Sequence, residues 1–408
     1  MHSFNNLKVN IQSMIDTNQI KHLVNEIFDK IVGFRRHFHA NPELSKHEKQ
    51  TSEFICRQLD KIGVEYNNNI YGYGIYGFIN GKNPDSRCVA LRADMDALPI
   101  EEETSLECKS LNHGVMHACG HDLHMASLLG AIEILNKMKD KFVGRVMFIF
   151  QPSEEEYPGG AISMIKNGIF NDIKPDAILA FHCTPELECG HVAIREGKMM
   201  ASTDEIYITV KGKGGHGATP HLDIDPIVAA CNVVIALQTI VSRNANPTMP
   251  TTFSVGRFIA EGRTNIIPNE VKMDCIIRTF DEDWRKQCHA LIKRISENTA
   301  KAFGCEADVF VDPGYPFVYN NPELTREVTQ NLKEFLGEDM VQNADMRMTA
   351  EDFAYFGQII PACYFRLGTH IENNPVYNLH SSKFNANEQA LKYSIGCEVF
   401  LALKYLEQ

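Results

Sequence analysis

Apolar and polar positions change period along the chain, and the change divides it into zones. Leu23, Ile27, Phe28, Ile31 and Phe34 recur at three- and four-residue spacing, which predicts an amphipathic helix closed by Asn41-Pro42. The runs Cys88–Asp94, Gly144–Phe150 and Asp176–Phe181 are short and apolar, the pattern of strands buried on both faces. A helical pattern from Asp122 to about Lys139 lies between the first two. Such alternation predicts an α/β fold, a mixed central sheet flanked by helices.

From Glu205 the character changes. Glu205–Val210 reads as a strand, Asp225–Val241 as an apolar helix, Thr251–Ile259 and Val271–Phe280 as strands, Trp284–Phe303 as a helix and Glu306–Val311 as a strand. The order βαββαβ is that of a ferredoxin-like α+β unit. Polar and Gly-Pro segments bound it, so residues 202–314 are expected to form a domain inserted into one built from 1–201 and 315–408. The chain is expected to end in a helix from about Ala386, with Asn385 and Glu388 as its capping box.

Composition narrows the function. A chain of 408 residues, 44% hydrophobic, is long enough for more than one core. A net charge of -12 disfavours nucleic acid and membrane surfaces and points to a small-molecule substrate. The opening MHSFNNLKVNIQSMID lacks a secretory pattern, and no unbroken apolar run reaches about 18 residues, so no transmembrane helix is expected. The twelve cysteines are scattered without a CxxC pair, which points to reduced thiols and a cytoplasmic location.

The chemistry concentrates in His117-Ala-Cys-Gly-His-Asp-Leu-His124 and Gln151-Pro-Ser-Glu-Glu-Glu156. Asp94 ends one expected strand, Glu154 and Glu155 follow the next, His182 follows the third, and Cys119 and His121 precede the long helix. Ligands of open α/β sheets bind beyond the carboxyl ends of the strands, so these groups are expected to meet there. A thiolate, imidazoles and carboxylates together suit zinc or manganese. Side chains of adjacent Glu154 and Glu155 diverge on an extended segment, leaving one for a cation and one for a reacting water. The reaction class is metal-assisted hydrolysis. His37 and His39, beside Arg35 and Arg36, read as dipole-stabilised or solvated groups at a helix end. His113, His117 and His124 read as structural groups flanking the motif.

The segments RADMDALP, MHACGHDLH, QPSEE, FHCTP, GGHGATPH, TNIIPNE, EDFAYF and NLHSSKF resemble, in order, those of the M20 metallopeptidase family. The similarity spans about residues 30 to 400 and is strongest to the amidohydrolase branch of aminoacylase, hippurate hydrolase and auxin-amino acid conjugate hydrolase type. It implies a Zn-peptidase-like catalytic domain with an inserted lid and dimerisation domain, and a homodimer. It also implies two divalent ions per subunit, Mn2+ or Zn2+ with Co2+ acceptable, on Cys119, His121, Glu155, His182 and His380, with Cys119 bridging. Glu154 takes the role of general base, and Asp94 supports the ligands. His216, in the Gly-rich segment, is implied to reach the partner's active site as an oxyanion donor, and Asn265 and Arg278 to bind the substrate carboxylate.

Arg92 stands where aminopeptidase-like branches carry a metal-binding His, which leaves the partner of Asp94 open. The expected reaction cleaves an N-acyl-amino acid to a carboxylic acid and a free amino acid. A dipeptidase or an N-acetyl-diaminopimelate-type deacetylase shares the same metals. A thiol enzyme using Cys119 leaves Glu154, Glu155, His182 and His380 without a role, and a catalytically silent scaffold is expected to lack a ligand or the base, none of which is missing.

Overall fold

The computed structural model describes residues 16–68 and 70–407; most of the opening segment read above for a secretory pattern lies outside the described residues. Its main sheet has eight strands in the order Tyr66–Asn67, Ile75–Asn80, Arg145–Gln151, Cys88–Asp94, Ala177–Glu188, Ala362–His370, Val192–Ile194 and Val341–Asn343. The four central strands run parallel. Antiparallel pairing joins Ile75–Asn80 to Arg145–Gln151 and Val192–Ile194 to Ala362–His370, so the sheet is mixed as expected.

Both faces of the central strands are covered, and this explains their continuous apolar runs. Val89, Leu91, Val146, Phe148 and Phe150 point into one core cluster, whereas Cys88, Ala90, Met147 and Ile149 point into another. The two-residue period sorts them. Helices Thr17–Ala40, His121–Lys137 and Ala390–Leu406 pack on the first face, and the short helices Gly160–Lys166 and Ala354–Gly357 lie on the second. His121–Lys137 is buried around nearly its whole circumference, as its weak apolar periodicity requires. Its position fixes the metal motif at its N-terminus against the strand ends.

A second, four-stranded antiparallel sheet has the order Thr252–Ile259, Glu270–Arg278, Asp204–Lys211, Glu306–Pro313. With helices Pro226–Leu237 and Glu282–Ala302 it follows the βαββαβ order and has its own apolar cluster, built on Ile206, Ile208, Val233, Met273 and Ile292. Both crossings of the chain into this unit are tied together. Arg285 donates to Asp204 from Nε (2.9 Å) and Nη2 (2.6 Å), and from Nη2 to the Gly314 carbonyl (2.6 Å). Asp204 also accepts from the Gly314 N–H (3.0 Å).

Three expectations need correction. The stretch Pro226–Asn244 is, by length and mean hydropathy (1.5), apolar enough to cross a membrane. Asn232, Gln238 and Thr239 interrupt its apolar run, so counting consecutive residues missed it. Ala229, Val233, Leu237 and Ile240 face the four-stranded sheet, while Val228 and Ile235 stay exposed. Second, the final helix starts at Ala390, because Glu388 is held by Arg36 through two 2.8 Å hydrogen bonds rather than serving a cap. Third, His39 is fully buried between Asp122 (2.8 Å) and Glu102 (3.2 Å) rather than solvated.

Truncating Arg285 to Met leaves the buried Asp204 carboxylate without its main cation. Removing one member of such a pair costs about 3–5 kcal/mol. Urea unfolding of Arg285→Met is expected to show a loss of that size, and an unchanged midpoint would contradict the clamp.

Candidate metal centre and active-site cavity

Gly120 sets the geometry between Cys119 and His121. Its φ is +85°, and a Cβ there would lie 2.2 Å from the Cys183 sulfur. A residue with a side chain is excluded on both counts. The turn places Cys119 Sγ 3.3 Å from His182 Nε2. On the other side, His380 Nε2 lies 3.1 Å from Glu155 Oε1. His380 has a left-handed φ of +65°, and its N–H donates to the Ala118 carbonyl at 2.8 Å, which anchors the late loop to the metal motif.

Donor atoms of Cys119, His121 and His182 lie within 4.8 Å of one another, as do those of Cys119, Glu155 and His380, and those of His121, Glu154 and Glu155. All five expected ligands and Glu154 therefore meet in overlapping groups that share Cys119, His121 and Glu155. Two imidazoles are aimed by backbone. His121 Nδ1 lies 2.9 Å from the Asp96 carbonyl, and His182 Nδ1 lies 2.8 Å from the Cys183 carbonyl. A proton on Nδ1 satisfies each carbonyl and turns each Nε2 toward the cluster. His121 Nε2 is buried and has no hydrogen-bond partner.

Electrostatics show what the cluster lacks. Burial first, then the charges of Glu155 and Glu154, push the Cys119 thiol well above its usual range. Burial and the neighbouring Glu351 and Glu155 likewise hold Glu154 well above the carboxylate range. Burial opposes charge on His121, but Asp94 and Asp96 prevail and raise it to about 10. A buried thiol and an imidazolium held among carboxylates are groups whose protons a divalent cation displaces. The residues present fit two such ions.

Asp94 is buried behind the cluster. Its Oδ2 accepts from Arg92 Nη1 at 2.6 Å, and its Oδ1 lies 2.6 Å from His124 Nδ1 and 3.8 Å from His121 Nε2. Arg92 thus supplies the partner that the sequence left open. Its Nη2 also reaches Glu351 and Asp352, each at 3.0 Å. His124 accepts the Cys183 N–H on Nε2 at 3.0 Å and so ties Asp94 to the His182 strand. His117 is buried without ring partners, and burial lowers it to about 3, a neutral packing group.

The cluster opens into a cavity of about 560 Å³ lined by Cys119, Glu154, Glu155, His182, His380 and Arg278, among others. That volume suits a small molecule. The Arg278 side chain makes no hydrogen bond or ion pair with the described residues, and its guanidinium is available to the cavity. His216 and Asn265 are not brought to it. They neighbour each other, since the Gly217 N–H donates to the Asn265 carbonyl at 3.0 Å, and both are exposed on the second unit. Sequence reasoning gave no role to Asp96, Glu351 or Asp352, although RADMDALP and EDFAYF contain them. Two further cavity residues, Arg347 and Arg366, had no motif to mark them.

Residues 90–403 match the model of peptidase family M20/M25/M40. The chain belongs to this family. The M20 protein is 39% identical over 391 residues to thermostable carboxypeptidase 2 of Saccharolobus solfataricus, covering 95% of this chain and 98% of the relative. It is 41% identical over 305 residues to the N-acyl-L-amino acid amidohydrolase of Geobacillus stearothermophilus, covering 75% and 82%. Its fold superposes with a TM-score of 0.82 on Bacillus subtilis YXEP, a dinuclear metal binding peptidase of the same family, at 31% identity and with 94% and 99% of the chains covered. The M20 protein is therefore a hydrolase of the amidohydrolase kind.

Because Gly120 aims two donors without being one, Gly120→Ala is expected to weaken metal binding by about 10–100-fold, the range for losing a group that orients ligands. Metal titration by calorimetry checks this. Unchanged affinity would show that the turn does not set the site.

Proposed function

We propose that the M20 protein hydrolyses the amide of N-acyl-amino acids, releasing a carboxylic acid and a free amino acid. The observation that carries this is the convergence of five metal donors and an additional carboxylate, Glu154, on one wall of a small-molecule cavity. Cys119, His121, Glu155, His182 and His380 would hold two divalent ions, manganese or zinc with cobalt acceptable, Cys119 being shared between them. When bound, such ions supply Lewis acidity toward water and toward a carbonyl oxygen.

The chain's own residues do the rest. Glu154 accepts the proton of the attacking water and returns it to the departing amine. Its elevated proton affinity suits the second step, and bound cations would lower it for the first. The Tyr315 hydroxyl donates to the Glu154 carbonyl at 2.6 Å, fixing the backbone of the base. Asp94, locked between Arg92 and His124, holds negative charge behind the ligands. Arg278 offers a planar fork to the α-carboxylate of the substrate.

His216 and Asn265 complete the site from a second copy of the chain, His216 as donor to the oxyanion and Asn265 to the carboxylate. Residues 202–314 then serve as the lid and dimerisation domain on a catalytic domain of 1–201 and 315–408. Support comes from their exposure, from the exposed Val228 and Ile235, and from Thr252–Ile259 lying at an open sheet edge. The twelve unpaired cysteines support a reducing, cytoplasmic setting. A peptidase acting on dipeptides or on the carboxyl end of peptides is the second reading. The Saccharolobus relative's name favours it, and it differs only in the acyl side of the substrate.

Metal-stripped protein reloaded with manganese or zinc is expected to release amino acids from N-acetyl and N-benzoyl amino acids, and preferential release from dipeptides would favour the second reading. Glu154→Gln should lower kcat by about 10²–10⁴-fold with metal content retained. A smaller loss would remove Glu154 as the base. Mixing His216→Ala with Glu154→Ala protein should restore activity in heterodimers. No recovery would place His216 outside the site.

A further inference from the structure

Arg366 lies on the strand Ala362–His370, in parallel register with His182. Paired residues of adjacent parallel strands project to the same face about 4.8 Å apart, and both side chains line the cavity. Arg366 is only 6% exposed. Its side chain makes no hydrogen bond or ion pair with any described residue, and the Glu186 and Asp345 carboxylates act on it only through longer-range charge. Its neighbour Arg347 also lines the cavity but is matched by Glu186 at 3.5 Å.

A buried guanidinium without an anion is costly, and such groups persist where they are paired. Arg366 has a second cation beside it and no carboxylate in direct contact with its guanidinium, which lines the substrate space. The proposed reading assigns the α-carboxylate of the substrate to Arg278, and one carboxylate does not satisfy both guanidiniums. Glu155 and Cys119 do not serve Arg366 either, because on that reading their charge would be matched by the ions they hold, and Glu154 is engaged as the base.

We infer that Arg366, flanked by Arg347, is a specificity-determining group that binds a second carboxylate of the substrate, beyond the α-carboxylate. The substrate class is therefore an N-acyl-amino acid with an additional acidic group. That group belongs either to an acidic amino acid or to a dicarboxylic acyl chain. This inference rests on the amidohydrolase reading above and adds the charge of the substrate to it.

The test compares kcat/KM of the metal-loaded, full-length protein on N-acetyl-L-glutamate, N-succinyl-L-leucine and N-acetyl-L-leucine. One of the two dianionic amides is expected to exceed the neutral-side-chain amide by about 10–100-fold, the range of a charge-assisted hydrogen bond. Which one exceeds it tells whether the acid lies on the amino or the acyl side. In Arg366→Met the ratio of dianionic to monoanionic substrate should collapse toward one, and Arg366→Lys should keep part of it. Inhibition by free glutamate and by succinate gives a readout independent of turnover, and the favoured dicarboxylate should lose the same factor in Arg366→Met. An active enzyme that prefers N-acetyl-L-leucine over both dianions would overturn this inference and leave the amidohydrolase reading intact. No turnover of any amide, with metal bound, would overturn both.

Discussion

Buried negative charge at the carboxyl ends of four parallel strands is the constraint on which the site depends. Asp94, Asp96, Glu154, Glu351 and Asp352 are all buried in that region. Charges so placed need cations close by. Arg92 answers Asp94, Glu351 and Asp352 through hydrogen bonds of 2.6–3.0 Å, and Ser45 donates to Asp96 at 2.6 Å. Glu154 and Cys119 have no such hydrogen bond, and burial together with neighbouring carboxylates raises both well above their usual ranges. The protein neutralises one half of its acidic cluster with its own guanidinium, and on the proposed reading divalent ions would neutralise the other half. Arg92 serves as structure there, and on the proposed reading metal ligation falls to the cysteine-containing set.

The nearest contacts that orient the imidazoles come from backbone carbonyls. Carbonyls of Asp96 and Cys183 hold the Nδ1 atoms of His121 and His182, and a glycine with φ of +85° turns the chain between Cys119 and His121. Carbonyls in packed strands and turns move little, so the donors are pre-positioned before any ion arrives. The same rigidity extends to the cavity wall, where Arg366 shares strand register with His182.

Much of this was legible in the sequence, for reasons that can be named. The central strands are covered on both faces, so they read as apolar runs, and Cys88–Asp94 matches its expected bounds. Cys119, His121, Glu154 and Glu155 sit in two compact motifs, His182 follows an expected strand, and the resemblance added His380. What failed to show was long-range pairing. Arg92 meets Glu351 and Asp352 from about 260 positions away, and no spacing rule reports that. His39 was read by a local helix-end rule, but Asp122 and Glu102 from other elements override it. Glu388 met the pattern of a capping box, yet Arg36 from the first helix claims it. Arg366 lies in no motif, and only the fold reveals that it lines the cavity beside His182.

The central claim is that the acidic cluster is completed by two ions sharing the sulfur of Cys119. Anomalous diffraction from crystals of the zinc-loaded protein tests it most directly. The account predicts two anomalous peaks, both at about 2.3 Å from Cys119 Sγ, the usual Zn–S distance, one flanked by His182 or His121 and the other by Glu155 or His380. A lone peak, or a pair that leaves Cys119 uncoordinated, would contradict it.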